Sequence, residues 1–207
     1  MTKNEKAEKI FIELQKLFPN VKIAINYTTP LELLIAVIMS AQSTDKQVNV
    51  ITADLFKKYK SIEDYIKTPL PEFEHDIKRI GLFRAKAKNI KAAVEMIKKD
   101  YDGKVPDTME DLLKLPGVGR KTANVVLYTI FGKTEGIAID THARRFSQLF
   151  GFSKTDDVVK IEKDLMTAFP KSEWGEITYL FAEYGRKYCT ARCKHTECPL
   201  KNFIHRL

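Results

Sequence analysis

Cysteine is scarce and confined: Cys189, Cys193 and Cys198 are the three in the chain, and they fall within ten residues near the C-terminus. An odd, clustered set excludes the disulfide framework of a small secreted domain and points first to metal ligation in a reducing compartment. Long hydrophobic runs are also missing. The longest apolar stretch, residues 33–39, is far too short to span a bilayer. Residues 1–9 are polar and charged, with no secretory h-region, so the expectation is a cytoplasmic protein without a membrane partner. Convincing strand patterns, repeats of fixed period and low-complexity linkers are absent too, which excludes sandwich, solenoid and linker-joined architectures.

What is there is helix. The 207 residues carry a net charge of +8, a balance that suits a polyanionic partner, nucleic acid ahead of a membrane surface. Residues 4–18 place Ala7, Ile10, Phe11 and Leu14 on one face, and Pro19 stops the run. Thr29-Pro30-Leu31-Glu32 is a capping box with proline at the first helical position, opening a helix through Met39. A helix with Val48, Ile51 and Leu55 inward follows, then short helices at 61–66 and 71–80. A long amphipathic helix covers 85–101, with Ile90, Ala93, Val94 and Ile97 buried. Asp107 and Glu110 read as a second capping box. Asp140 caps a further helix, residues 155–169 form another with Val158 inward, and 173–184 form a last one ended by Gly185. Faces that each need burial make this an all-α bundle.

The stretch that organises the rest is Leu115-Pro116-Gly117-Val118-Gly119-Arg120-Lys121-Thr122-Ala123. It joins the helix at 108–113 to one running to Phe131, a helix–hairpin–helix over about 107–127. Gly117 and Gly119 permit positive φ and close backbone approach. The new helix opens with orphan amides and the positive end of its dipole, which can hold a phosphate without reading sequence. Arg120 and Lys121 add charge there. About twenty residues on, Asp140-Thr141-His142 sits where a helix begins. Helix capping alone would explain an aspartate at that place. A carboxylate paired with an amine nucleophile would instead orient it or stabilise a cationic sugar. His142 reads as a packing residue more readily than as a catalyst.

These residues, with Leu31-Glu32-Leu33-Leu34-Ile35-Ala36-Val37, Ser40-Ala41-Gln42, Thr44 and Asp45, Ile80-Gly81-Leu82, Ala85-Lys86-Ala87 and Gly103-Lys104-Val105-Pro106, resemble the bacterial endonuclease III family. Its members are helix–hairpin–helix DNA glycosylase/AP lyases. The similarity is co-linear over roughly residues 7–200. It implies an all-α, two-lobed fold of the DNA-glycosylase type. One lobe, 22–133, is continuous and carries the hairpin; residues 1–21 with 134–207 form the other, with a cysteine-containing tail at 189–198. The resemblance implies base excision repair of oxidised pyrimidines in double-stranded DNA, and action at abasic sites, by a monomer. It makes Lys121 the Schiff-base nucleophile and Asp140 the essential carboxylate. Gln42 and Leu82 enter the space left by a flipped nucleotide, and Gly117, Gly119, Arg120, His142 and Arg186 contact DNA. Rival readings are a glycosylase of other base preference and a non-catalytic DNA-binding module. A pure binder needs the glycines but neither Lys121 nor Asp140.

The sequence departs from the family in its tail. The family's [4Fe–4S] cluster is held by four cysteines spaced C-x6-C-x2-C-x5-C. Here Cys189 and Cys198 align with two of them, Cys193 follows Cys189 by four positions, and nothing matches the fourth, near Ile204. A cluster held by Cys189, Cys193, Cys198 and either His195 or His205 stands against loss of the cluster, with zinc as a further ligand-count match. Lys187, Arg192 and Lys194 keep the tail basic in every case.

Overall fold

The structure is a computed structural model that describes residues 1–205. Among those residues the chain forms helices and turns and no strand. In chain order the helices are α1 (Lys3–Leu17), α2 (Pro30–Ser40), α3 (Asp45–Lys58), α4 (Ile62–Lys67), α5 (Leu70–Asp76), α6 (Phe83–Asp100), α7 (Met109–Lys114), α8 (Arg120–Phe131), α9 (Thr141–Leu149), α10 (Val158–Ala168) and α11 (Trp174–Lys187). None of the described helices is long and apolar enough to cross a membrane. The chain divides into two compact units, Ala24–Gly132 and Met1–Ile23 with Lys133–Leu207.

The first unit is built around α2. Its residues Leu33, Leu34, Ile35, Ala36, Val37, Ile38 and Met39 are all buried, so the helix is covered on every side. That is the signature of a central helix rather than a surface one. The Thr29 capping box starts it: the Thr29 hydroxyl accepts from the Glu32 amide and Glu32 reaches back. Helices α3, α6 and α8 pack against it. Helix α4 ends on Lys91, whose ammonium donates to the carbonyls of Tyr65, Ile66 and Thr68. A cation supplied by α6 thus satisfies the carbonyls that a helix C-terminus leaves open.

The other unit is held by an aromatic chain. Phe146 stacks on Phe150 at 5.6 Å, Phe152 meets Phe169 edge-on at 5.3 Å, and Phe181 and Tyr184 close on Phe146 at 5.5 and 5.3 Å. Ala7, Ile10, Phe11 and Leu14 of α1 complete this core, with Cys189, Cys198 and Leu200 from the tail.

Four boundaries differ from the pattern in the sequence. The cap of α7 is Thr108, not Asp107: the Thr108 hydroxyl accepts from the Asp111 amide, a register that buries Leu112. The apolar spacing of Phe73, Ile77 and Ile80 reads as one helix, but α5 stops at Asp76 and a turn delivers the two isoleucines to the core. Helix α10 starts only at Val158, where Asp157 accepts from the Val159 and Lys160 amides; Val158, in that first turn, is 50% exposed. Gly185 does not end α11. It lies inside the helix because a Cβ there would come within 2.1 Å of His142 Nδ1.

Glu173 provides a pH probe of this unit. One of its carboxylate oxygens is buried without a hydrogen-bond partner. Burial, with Glu8 and Glu176 nearby, pushes its pKa up to about 7. The N-terminus of α11 pulls the other way, but Glu173 makes no side-chain cap bond to it. The folded chain therefore holds a proton that the unfolded chain releases near pH 4.5. Stability falls as pH rises through this window, and the full penalty is present above the folded pKa. Glu173→Gln is expected to raise stability by about 1–2 kcal/mol at pH 8, after discounting for partial exposure, and to change little at pH 5. Thermal melts of the two proteins at both pH values check this; an equal difference at the two would refute the ionisation.

Candidate functional site

The hairpin connects α7 to α8 in five residues, Leu115 to Gly119. Leu112, Leu115 and Val118 are buried and anchor it, while Gly117, Gly119, Arg120 and Lys121 are exposed. Gly117 has φ +81°, and a Cβ there would stand 2.9 Å from Asn89 Cβ. It is required by the turn and by the approach of α6. Gly119 is different. Its φ is −100°, open to any residue, and a Cβ would meet nothing within 4 Å. Both glycines permit positive φ, and only Gly117 uses it. Gly119 is the N-cap of α8 and has no side chain to cap it. A serine or aspartate there would bind the first-turn amides itself, so glycine leaves the positive helix end to a ligand. Lys121 is the second residue of α8, on the exposed side of that turn.

Two further predicted residues share a backbone feature. Gln42 and Leu82 are non-glycine residues with φ of +55° and +57°. Such conformations are uncommon and persist where the surroundings hold them. Both side chains point into solvent, and Leu82 is 61% exposed. A leucine placed so is no part of any core. The two turns touch: a Cβ on Gly81 would lie 3.3 Å from the Gln42 carbonyl oxygen.

Lys86 holds this pair of turns. It is buried, and its ammonium donates to the carbonyls of Met39 at 2.7 Å and Ala41 at 2.5 Å. Burial depresses its pKa. The lysine thus ties the first turn of α6, next to Leu82, to the end of α2, next to Gln42. In the sequence Lys86 stands only within the family-like segment Ala85-Lys86-Ala87, with no role of its own, although a signal existed. Position 86 falls on the same helical face as Ile90, Ala93 and Ile97, where a cation is out of place unless carbonyls await it.

In the other unit, Asp140 is the N-cap of α9, and its Oδ1 accepts from the Ala143 amide at 2.7 Å. The capping role is therefore present, and one oxygen is engaged in it. His142 packs its ring on Gly185, with Nδ1 buried and unpartnered; burial lowers its pKa, opposed by the Asp140 charge. Arg186 is exposed at the end of α11, paired with Glu183 at 2.5 Å. The tail brings Cys189, Cys193, His195 and Cys198 together, with all four donor atoms within 4.8 Å of one another, so they could hold a metal ion. His205 is elsewhere: its ring lies against Gly151 and its amide donates to the Leu149 carbonyl.

Residues 35–171, which include both hairpin glycines, Lys121 and Asp140, match the family described as the HhH-GPD superfamily base excision DNA repair protein. The chain belongs to this HhH-GPD family. Endonuclease III of Bacillus subtilis (strain 168) is 47% identical over 188 residues, 89% of this chain and 84% of that protein. Endonuclease III of Synechocystis sp. is 43% identical over 191 residues, 92% of this chain and 87% of that one. A solved trapped endonuclease III–DNA covalent intermediate superposes with a TM-score of 0.93 at 43% identity, covering 99% of this chain and 96% of the other. A thermostable thymine-DNA glycosylase has the same fold, with a TM-score of 0.85 at 24% identity. As an HhH-GPD protein the chain is an all-α DNA-binding repair enzyme, a DNA glycosylase/AP lyase of base excision repair.

Proposed function

We propose that this enzyme removes oxidised pyrimidines from duplex DNA and then cleaves the abasic strand through a Schiff base on Lys121. The observation that carries the reading is Lys121 itself, exposed in the first turn of α8 directly behind the glycine hairpin. The 43%-identical structure is a covalent endonuclease III–DNA intermediate, and such an intermediate needs a nucleophile from the protein.

The steps follow from the residues. The target base is turned out of the stack, since its glycosidic bond is out of reach within a duplex. Gln42 and Leu82, held in left-handed turns braced by Lys86, fill the space it leaves. The unprotonated Lys121 amine attacks the sugar C1′, and the base departs with the bonding electrons and takes up a proton. Ring opening leaves an iminium between Lys121 and C1′. That cation acidifies C2′, whose proton is lost as the 3′ C–O bond breaks, giving β-elimination. Asp140 supplies negative charge for the cationic sugar. Gly117, Gly119 and Arg120, with His142 and Arg186, hold the backbone. The lobe at 22–133 thus carries the nucleophile, and residues 1–21 with 134–207 carry the carboxylate and the cysteine tail. The protein works as a monomer.

The family's [4Fe–4S] group is tested by the donors present. Three cysteines and one histidine offer the right number of ligands. Their closeness does not fit a body of four irons and four sulfides, so no step is assigned to a cluster.

Borohydride trapping on a thymine-glycol duplex tests the proposal. The expected result is a covalent protein–DNA adduct and, without borohydride, strand cleavage on the 3′ side. Base release with no adduct would refute the Schiff base; an adduct on a plain abasic duplex with no release of thymine glycol would refute the base preference.

A further inference from the structure

We infer that the tail of this protein binds a single zinc ion through Cys189, Cys193, His195 and Cys198, in place of the four-iron cluster of its family. The inference concerns the metal alone and does not depend on the proposed base preference or on Lys121.

Distance is the first argument. Donors of one tetrahedral zinc ion, with Zn–S near 2.3 Å and Zn–N near 2.0 Å, lie about 3.8 Å apart for two sulfurs and about 3.6 Å for sulfur and nitrogen. His195 Nδ1 lies 3.4 Å from Cys189 Sγ and 3.9 Å from Cys198 Sγ. All four donors fall within 4.8 Å of one another, close to the span that a single ion can bridge. In a cubane each thiolate takes a different iron, so sulfide-bridged irons separate every pair of ligand sulfurs. Cys193 Sγ and Cys198 Sγ are 3.0 Å apart, which leaves no room for them; the pair is also about 0.8 Å tighter than the zinc spacing and must part by that much when the ion enters. The same distance is well beyond a disulfide bond of about 2.05 Å.

The local backbone is the second argument. His195 has φ +61°, a conformation that a histidine adopts at a cost. That turn aims its ring at the two buried cysteines, and its amide donates to Cys193 Sγ at 3.3 Å. An N–H aimed at a ligating sulfur is the kind of outer contact that tunes a thiolate site. The Arg145 guanidinium adds another: it donates to the Cys189 carbonyl at 2.5 Å and approaches Cys189 Sγ at 3.6 Å. Three thiolates, one neutral imidazole and Zn²⁺ sum to one negative charge, which this arginine faces. A closed Cys3His set with no open position is a structural site, not a catalytic one. It clips the basic tail, with Lys187, Arg192 and Lys194 exposed around it, onto α9 and α11.

The full chain, expressed in medium containing both iron and zinc and purified without oxygen, decides the matter. Elemental analysis is expected to give about one zinc per chain with neither iron nor acid-labile sulfide, in a colourless protein. The three thiols should resist a thiol reagent until a chelator removes the metal. His195→Ala should weaken zinc at least about a hundredfold in competition with a chromogenic chelator, and His195→Cys should retain it. Circular dichroism shows that each variant is folded. Four irons with sulfide and absorbance near 400 nm would overturn the inference. So would a single iron, a Cys193–Cys198 disulfide, or freely reactive thiols with no metal.

Discussion

Lys121→Ala is expected to abolish the borohydride-trapped adduct and to lower base release on the order of 10³-fold or more, the scale of removing a covalent nucleophile. Lys121 is exposed, so the stability of the variant should stay within the range of neutral surface changes, about 0.5 kcal/mol. Asp140 needs a subtler substitution because it does two things. Asn caps helices about as well as Asp, so Asp140→Asn keeps the bond to the Ala143 amide and removes only the charge. Base release should then fall about 10²-fold or more while stability is retained. Asp140→Ala should lose the same activity and, in addition, about 1 kcal/mol of stability. Trapping yields, single-turnover rates and thermal melts on the four proteins check these outcomes. An adduct that persists in Lys121→Ala, or full activity in Asp140→Asn, would show that each residue does no more than its structural surroundings require.

Gly117→Ala should unfold the hairpin's geometry, and Gly119→Ala should not. At Gly117 an added methyl meets Asn89 Cβ at 2.9 Å, an atom fixed to the backbone of α6, and the φ of +81° is unfavourable for alanine. Together these should destabilise the protein by about 2–3 kcal/mol and weaken binding to any duplex at least about tenfold. At Gly119 the methyl enters open space and φ is ordinary. Gly119→Ala should therefore lose less than about 1 kcal/mol of stability, as a poorer cap. On the proposed DNA contact of the hairpin it should still lose DNA affinity, because the methyl would stand where a phosphate docks on the first turn of α8. The pair separates a glycine demanded by the fold from one demanded by the ligand. Denaturation midpoints set beside duplex affinities at one fixed salt concentration read out the difference. Equal stability loss in both variants would contradict it.

Much of the architecture was legible because helices announce themselves locally. The caps Thr29 and Asp140, the end of α8 at Phe131 and the buried faces of α1, α3 and α6 all rest on residues within a turn or two of one another. Misreadings arose where a residue's reason lay far along the chain. Gly185 looks like a helix stop, yet it is a gap for His142, forty-three positions earlier in sequence. Lys86 looks like one of many surface lysines, yet its partners are the carbonyls of Met39 and Ala41. Nothing near either residue encodes its partner.

By itself the sequence determined the class, the hairpin with Lys121, the aspartate that opens α9 and the basic cast of the chain, since each depends on neighbours within a turn or two. Only the tertiary structure decided how the tail uses its donors. Spacing left His195 and His205 equally available and left cluster and single ion both open. Folding put the His195 ring among the three sulfurs and the His205 ring on Gly151. The reason is physical: a ligand set is defined by distances between side-chain tips, and those depend on a left-handed turn at His195 and on the core that seats Cys189 and Cys198. Tertiary structure also told Gly117 from Gly119, because a clash with α6 exists only once α6 is in place.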